Sequence, residues 1–207
     1  MASPKIAPSG AVTTRRSAAE TRELILQAAL RRFAAQSYEE TSLRQIAADV
    51  GVDVALVHRS FGSKEQLFVA VNEAASQASD VLAVEQGALA ASLARRLVER
   101  VDEEDEEVSL RSLSVLVRSL SSPQARPLLR DFIRRGFIDP LAARFEVDAT
   151  ERATLLAASL CGIAIFRHVL GVEVLSGEGA ENCVPLMERA FAVLTGEGSP
   201  DQDSSAG

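Results

Sequence analysis

Two helical segments of about eight residues each, Leu43–Val50 and Val54–Ser60, are joined by Gly51-Val52-Asp53. Neither can stand alone in water, where isolated helices need roughly 12–15 residues. Tertiary contacts must brace both, and that demand organises the N-terminal third of the chain. Gly51 suits a left-handed helix C-cap. Asp53 is placed to cap the second segment, and Thr41-Ser42 offers a cap for the first. Ile46, Ala47, Val50, Val52, Val57 and Phe61 supply an inward face, on which Val57 and Phe61 stand four residues apart. The brace is a longer helix starting at Ser17, where Leu24, Ile25, Ala28, Ala29, Leu30 and Phe33 recur at three- and four-residue spacing. Helix, glycine turn, helix is the arrangement in which a second helix enters the major groove of DNA.

Beyond Phe61-Gly62-Ser63 the pattern stays helical. Ser63 caps a segment from Lys64 to about Gln86, and further helices are expected at 88–101, 107–121, 125–146, 149–170 and 181–195. The acidic run 102–107, Ser121-Ser122-Pro123, Val147-Asp148 and 176–179 read as the breaks between them. No alternating strand pattern is long enough to build a sheet. The expected fold is all-α with about nine helices. A basic, disordered tail occupies 1–16, a helix-turn-helix domain 17–62, a larger helical domain 63–197, and a disordered polar tail 198–207.

Charge separates along the chain. Residues 1–70 hold nine Lys/Arg against seven Asp/Glu, and the remainder thirteen against twenty-two. A net charge of −7 argues against loose coating of nucleic acid but allows docking through one local basic face. Two cysteines, Cys161 and Cys183, make no disulfide framework and read as buried small hydrophobes. The N-terminus lacks the apolar core of a signal peptide. The apolar stretch Leu155–Phe166 is shorter than the roughly 20 residues a bilayer requires, so a cytoplasmic protein with no membrane partner is expected. Arg130, Arg134 and Arg135 read as a solvated face, and His168 as a helix C-terminal dipole partner. There is no Ser/His/Asp arrangement, phosphate-cradling glycine loop or zinc spacing, so no enzyme, cofactor or metal is expected.

With these features assembled, the segment Thr21–Phe68 resembles the DNA-binding domain of the TetR family of bacterial transcriptional regulators. The run ILQAALRRFAAQSYEETSLRQIAADVGV and the later VHRSFGSKEQLF carry the likeness, with Thr41, Ser42, Arg44, Ile46, Ala47, Gly51, Val52, Phe61, Ser63, Lys64, Glu65 and Leu67 in place. RPLLRDFIRRGFIDPLAARF and ERATLLAASLCGIAIFRHVLG resemble one C-terminal subgroup of the same regulators. The resemblance implies that Thr41 and Ser42 meet a phosphate at a helix N-terminus, and that Arg44 reaches base edges or phosphate. It implies that Val54, Ala55, His58 and Arg59 face the major groove and that Lys64 pairs with a backbone phosphate. Two positions depart from the family pattern: His58, where tyrosine is frequent, and Asp53, where serine is usual. An anion beside phosphates favours an alternative, a ligand-binding or adaptor protein of the same fold without operator binding.

The resulting expectation is a homodimeric repressor on a near-palindromic double-stranded DNA operator. The two long C-terminal helices would pair with their mates, and Gly162 would permit close approach. A small, largely apolar effector is expected between about 88 and 170, with Leu113, Leu116, Phe132, Phe137, Ile163 and Phe166 as its lining. Its binding would move the helix at 64–86 and respace the two recognition helices.

Overall fold

The computed structural model describes residues 16–75, 87–99 and 103–197, and every regular element among them is helical. The described residues form nine helices: α1 Ala18–Ala35, α2 Leu43–Val50, α3 Val54–Phe61, α4 Lys64–Ala74, α5 Leu89–Arg96, α6 Glu103–Ser119, α7 over 125–142, α8 Ala149–Val169 and α9 Val184–Thr195. A π-turn at Arg134–Ile138 interrupts α7, and another at Ile165–Val169 closes α8. Short 3-10 turns, the second at Gly177–Cys183, precede α9 where a continuous helix from 181 was expected. The tails at 1–15 and 198–207 and the segment 76–86 lie outside the described residues.

Local chemistry explains the first four helices. Ser17, Ser42 and Ser63 each accept from the backbone three residues on, and Glu20, Gln45 and Gln66 reciprocate as capping boxes. Asp53 caps α3 by accepting from the Ala55 N–H at 2.6 Å. Gly51 ends α2 at φ 73°, where its N–H reaches the Ala47 and Ala48 carbonyls. Gly62 is held more tightly: at φ 81° an added Cβ would lie 1.8 Å from Gln66 Oε1.

Two apolar cores form. The first gathers α1–α4 around Phe33, Tyr38, Ile46, Val57 and Phe68, and takes in Val115 of α6 with Ala125 and Leu129 of α7. Its centre is an aromatic trio: Phe33 and Tyr38 stack at 5.9 Å, and Phe68 meets each edge-on at 5.1 Å. A two-pronged ion pair at 2.6 and 2.7 Å ties Arg32 of α1 to Asp49 of α2. The second core joins α5, the end of α7, α8 and α9 through Leu93, Leu141, Leu156 and Phe191.

The ends of α5 are clamped by distant residues. Glu197 accepts from the Gly87, Leu89 and Ala90 N–H groups at 2.9–3.1 Å, placing a carboxylate at the positive end of the helix. At the other end Arg167 donates to the Leu97 and Glu99 carbonyls. Glu197→Ala is therefore expected to destabilise the protein by about 1–2 kcal/mol, a fall in melting temperature of about 4 °C by circular dichroism. An unchanged melting curve would mean that water caps α5 equally well.

Several sequence expectations need correction. Glu103 opens α6, so most of the acidic run is helical rather than a loop. Leu24 is exposed, because it lies just off the stripe that Ile25, Ala28 and Ala29 bury. Both cysteines are half-buried and free. Helix α8, 21 residues long with a mean hydropathy of 1.3 over its most apolar 18-residue window, is long and apolar enough to cross a membrane by length and composition, which Leu155–Phe166 alone is not. Only 11% of its most apolar window is buried, so its apolar outer face lies open in the single chain.

Candidate nucleic-acid interface and ligand cavity

Helices α2 and α3 turn one face inward and leave another to solvent. Ser42, Arg44, Ala55, His58 and Arg59 are exposed on that outer face. Neither Arg44 nor Arg59 meets a carboxylate among the described residues. The imidazole of His58 donates from Nδ1 to the Gly62 carbonyl at 2.9 Å, since a carbonyl can only accept. Its Nε2 is thereby the acceptor of the neutral ring.

Three expected contacts are placed differently. Thr41 is only 1% exposed, and its hydroxyl donates to the Ser37 carbonyl at 3.2 Å, so in this structure the hydroxyl serves the turn before α2. Val54 is half-buried against the first core, because the first turn of α3 rests on α1 and α2. Lys64 is half-buried with Nζ 4.3 Å above the Tyr38 ring, a cation–π contact that sets where the ammonium emerges. Burial holds that ammonium below its ordinary range, against the opposing pull of Glu39 and Glu65. On α1, Arg22 lies 4.5 Å over the Phe61 ring and braces the end of α3.

Thr41→Val separates the turn from the surface. It removes the hydroxyl and keeps the shape, so it is expected to cost about 1 kcal/mol of stability in denaturant titration. The salt dependence of DNA affinity should stay at its wild-type slope. A shallower slope would return Thr41 to the phosphate contacts.

A cavity of about 290 Å³ opens between α4, α5, α6, α7 and α8. Leu113, Leu116, Phe132 and Phe137 line it as expected. Ile163 and Phe166 do not. The cavity stripe on α8 runs through Ala157, Leu160, Cys161, Ala164 and His168 at helical spacing. Ile163 packs against the second core instead, while Phe166 points outward at 52% exposure. His168, read as a helix-end partner, belongs to the wall, as do Asn72, Arg96, Ser112 and Cys161. The three- and four-residue spacing of that α8 stripe was the available signal for its members. Burial pushes the Cys161 thiol upward and keeps it protonated.

Helix α4 connects the two regions. Its Leu67, Phe68 and Val71 fill the first core, while Asn72 and the following Ala75 reach the cavity. Ser112 of α6 donates to the Ala75 carbonyl at 3.2 Å, fixing the end of α4 against that wall. A second joint lies between the turn after α1 and the α6–α7 connection, where Ser122 donates to the Glu39 carboxylate.

Comparison with known proteins agrees with this arrangement. The family described as bacterial regulatory proteins, tetR family, matches residues 25–71, and the tetracyclin repressor-like C-terminal domain matches 91–194. Among solved structures, NalD of Pseudomonas aeruginosa, the secondary repressor of the MexAB-OprM multidrug efflux pump, is similar with a TM-score of 0.61 at 19% identity, over 84% of this chain and 96% of that one. A TetR-family regulator from Streptomyces coelicolor A3 is similar with a TM-score of 0.50 at 28% identity, over 88% and 98%. The multidrug binding protein EbrR, solved with proflavin, is similar with a TM-score of 0.53 at 23% identity, over 84% and 99%. No curated protein sequence matches the chain.

Proposed function

The chain belongs to the TetR family of bacterial regulatory proteins, and from that premise we propose that it is a cytoplasmic, ligand-responsive repressor binding a near-palindromic operator as a homodimer. The observation that carries this reading is the outer face of α2 and α3. Two exposed arginines with no carboxylate partner among the described residues stand on neighbouring short helices of a chain whose net charge is −7. An acidic protein that leaves its cations unpaired on one small surface is built to meet a local polyanion.

On this reading residues 17–62 form the DNA-binding unit and 63–197 the ligand-binding and dimerisation unit. Arg44 and Arg59 address guanine edges, and the exposed methyl of Ala55, with part of Val54, suits a thymine methyl. His58, with Nδ1 bonded to the Gly62 carbonyl, offers Nε2 as an acceptor for a base amino group. Lys64 reaches a backbone phosphate from its seat on Tyr38, and Ser42 presents the N-terminus of α2 to another. Asp53 is occupied as a cap, which turns its charge toward the α3 backbone and reduces its conflict with DNA.

A second copy covers the open faces of α8 and α9. Leu155, Phe166 and Val169 on α8, and Leu186 and Val193 on α9, are exposed apolar side chains. A Cβ at Gly162 would meet nothing within 4 Å, which leaves room for a helix from a partner. Dimer burial accounts for the apolar length of α8 without a membrane. A small organic effector in the cavity would displace α4 and change the spacing of the two α3 helices. The proflavin complex of EbrR supports a small organic effector as the class of ligand.

The test is selection of bound fragments from the source genome by full-length protein, followed by gel shift at several salt concentrations. A near-palindromic fragment with a steep salt slope is expected. Recovery of no fragment, or binding without salt dependence, would point to the adaptor reading instead.

A further inference from the structure

Asn72 is the one strongly buried polar side chain in the cavity wall, at 9% exposure among the described residues. Its Nδ2 is committed to the Phe68 carbonyl one turn earlier, at 2.8 Å. That bond settles the orientation of the amide, because a carbonyl accepts only from the nitrogen. The carbonyl Oδ1 has no hydrogen-bond partner among the described residues. It is not sealed away like Gln36 Oε1, the Tyr38 hydroxyl or Ser119 Oγ, so the open side of the amide is the side toward the cavity. A buried acceptor with no donor is what a ligand hydroxyl or amine completes.

The rest of the wall narrows the chemistry. Phe132 and Phe137 meet edge-to-face at 6.0 Å and 82°, an aromatic surface for a flat ring. No carboxylate is among the described lining residues, and Arg96 contributes a guanidinium. A cationic ligand would give up its hydration there and gain no opposing charge from the described lining residues. A cavity of about 290 Å³ sits at the low end for small-molecule sites, which begin at about 300 Å³, so it suits one or two fused rings.

We propose that the cavity takes a small, uncharged aromatic molecule bearing a single hydroxyl or amine donor, and that Asn72 selects it by accepting that hydrogen at Oδ1. This rests on the reading of the cavity as an effector site. It places the specificity-determining bond on α4, the helix that also anchors the first core.

The test uses full-length protein without DNA and three probes in titration calorimetry: 1-naphthol, 1-methoxynaphthalene and 1-naphthylmethylammonium. Wild-type protein is expected to bind 1-naphthol about tenfold more tightly than the methoxy compound, the worth of one buried hydrogen bond. The ammonium should bind more weakly still. In Asn72→Leu the affinity for 1-naphthol should fall about tenfold while that for 1-methoxynaphthalene changes less than twofold, the second probe reporting that the cavity is intact. Asn72→Asp supplies a carboxylate, and the order of 1-naphthol and the ammonium should reverse. Failure of 1-naphthol to bind at millimolar concentration, equal loss of both neutral probes in Asn72→Leu, or preference of the wild type for the ammonium would overturn the proposal. DNA takes no part in the readout, so a chain that never bound an operator would pass or fail on its cavity alone.

Discussion

Arg59→Ala is expected to lower operator affinity by about 2–6 kcal/mol, because a bidentate arginine–guanine contact contributes about 1–3 kcal/mol and a symmetric dimer loses two of them. The side chain is exposed on the last turn of α3 and has no carboxylate among the described residues to hold it back. The loss therefore falls on binding, and the melting temperature should be unchanged. Arg59→Lys keeps the charge and gives up the planar fork. It should retain most of the wild-type salt slope while losing discrimination at one base pair of each half-site. Fluorescence anisotropy on the selected operator and on single-base variants, each at several salt concentrations, separates the two effects. If Arg59→Ala weakens all sequences equally, Arg59 touches phosphate only, and Arg44 is left to carry base recognition.

What the sequence disclosed about this face and what it hid follow from the range of the interactions involved. Caps are local: Ser42 with Gln45, Asp53 with Ala55, and Gly51 at positive φ are decided within four residues, and each stands where the sequence places it. The direction of a hydroxyl is also local but has two solutions. Thr41 carries the right chemistry for a phosphate, yet the Ser37 carbonyl four residues back claims it. Tyr38 stands in a polar turn, Tyr38-Glu39-Glu40, and reads as a break in the helical pattern. Its ring is buried because Phe68 arrives from thirty residues away to meet it, a pairing that no local window contains.

The cavity was legible in proportion to how regular its helices are. Leu113 and Leu116, three residues apart on α6, both reach it. Phe166 was expected in the lining, and helical spacing excludes it, since it stands two residues from both Ala164 and His168, which do face inward. The π-turns left no sequence signature, although Phe137 and His168 enter the wall from them. Asn72 was the hardest to foresee. It lies in an apolar run, and only the bond to Phe68 shows which end of its amide is left for a ligand.

Phe68→Ala is expected to have the largest effect on stability, about 3–5 kcal/mol, because the ring is fully buried and nothing nearby can fill its place. At roughly 2–4 °C per kcal/mol for a chain of this size, the melting temperature should fall by about 10 °C. Phe33 and Tyr38 each lose an edge-on partner at 5.1 Å, so the cavity opens at the junction of α1, α4 and the turn before α2. That junction also seats Lys64 on Tyr38 and holds the first turn of α4, whose far end forms part of the ligand cavity. Operator binding should therefore weaken at temperatures where the helical signal is still native, although Phe68 touches no DNA. Phe68→Leu refills most of the volume and should cost less than half as much. Circular dichroism melts of the two variants beside anisotropy on the operator read both consequences. A fall of less than about 3 °C in Phe68→Ala would mean that the trio repacks, and that the first core is not what holds α4 in register with the recognition helix.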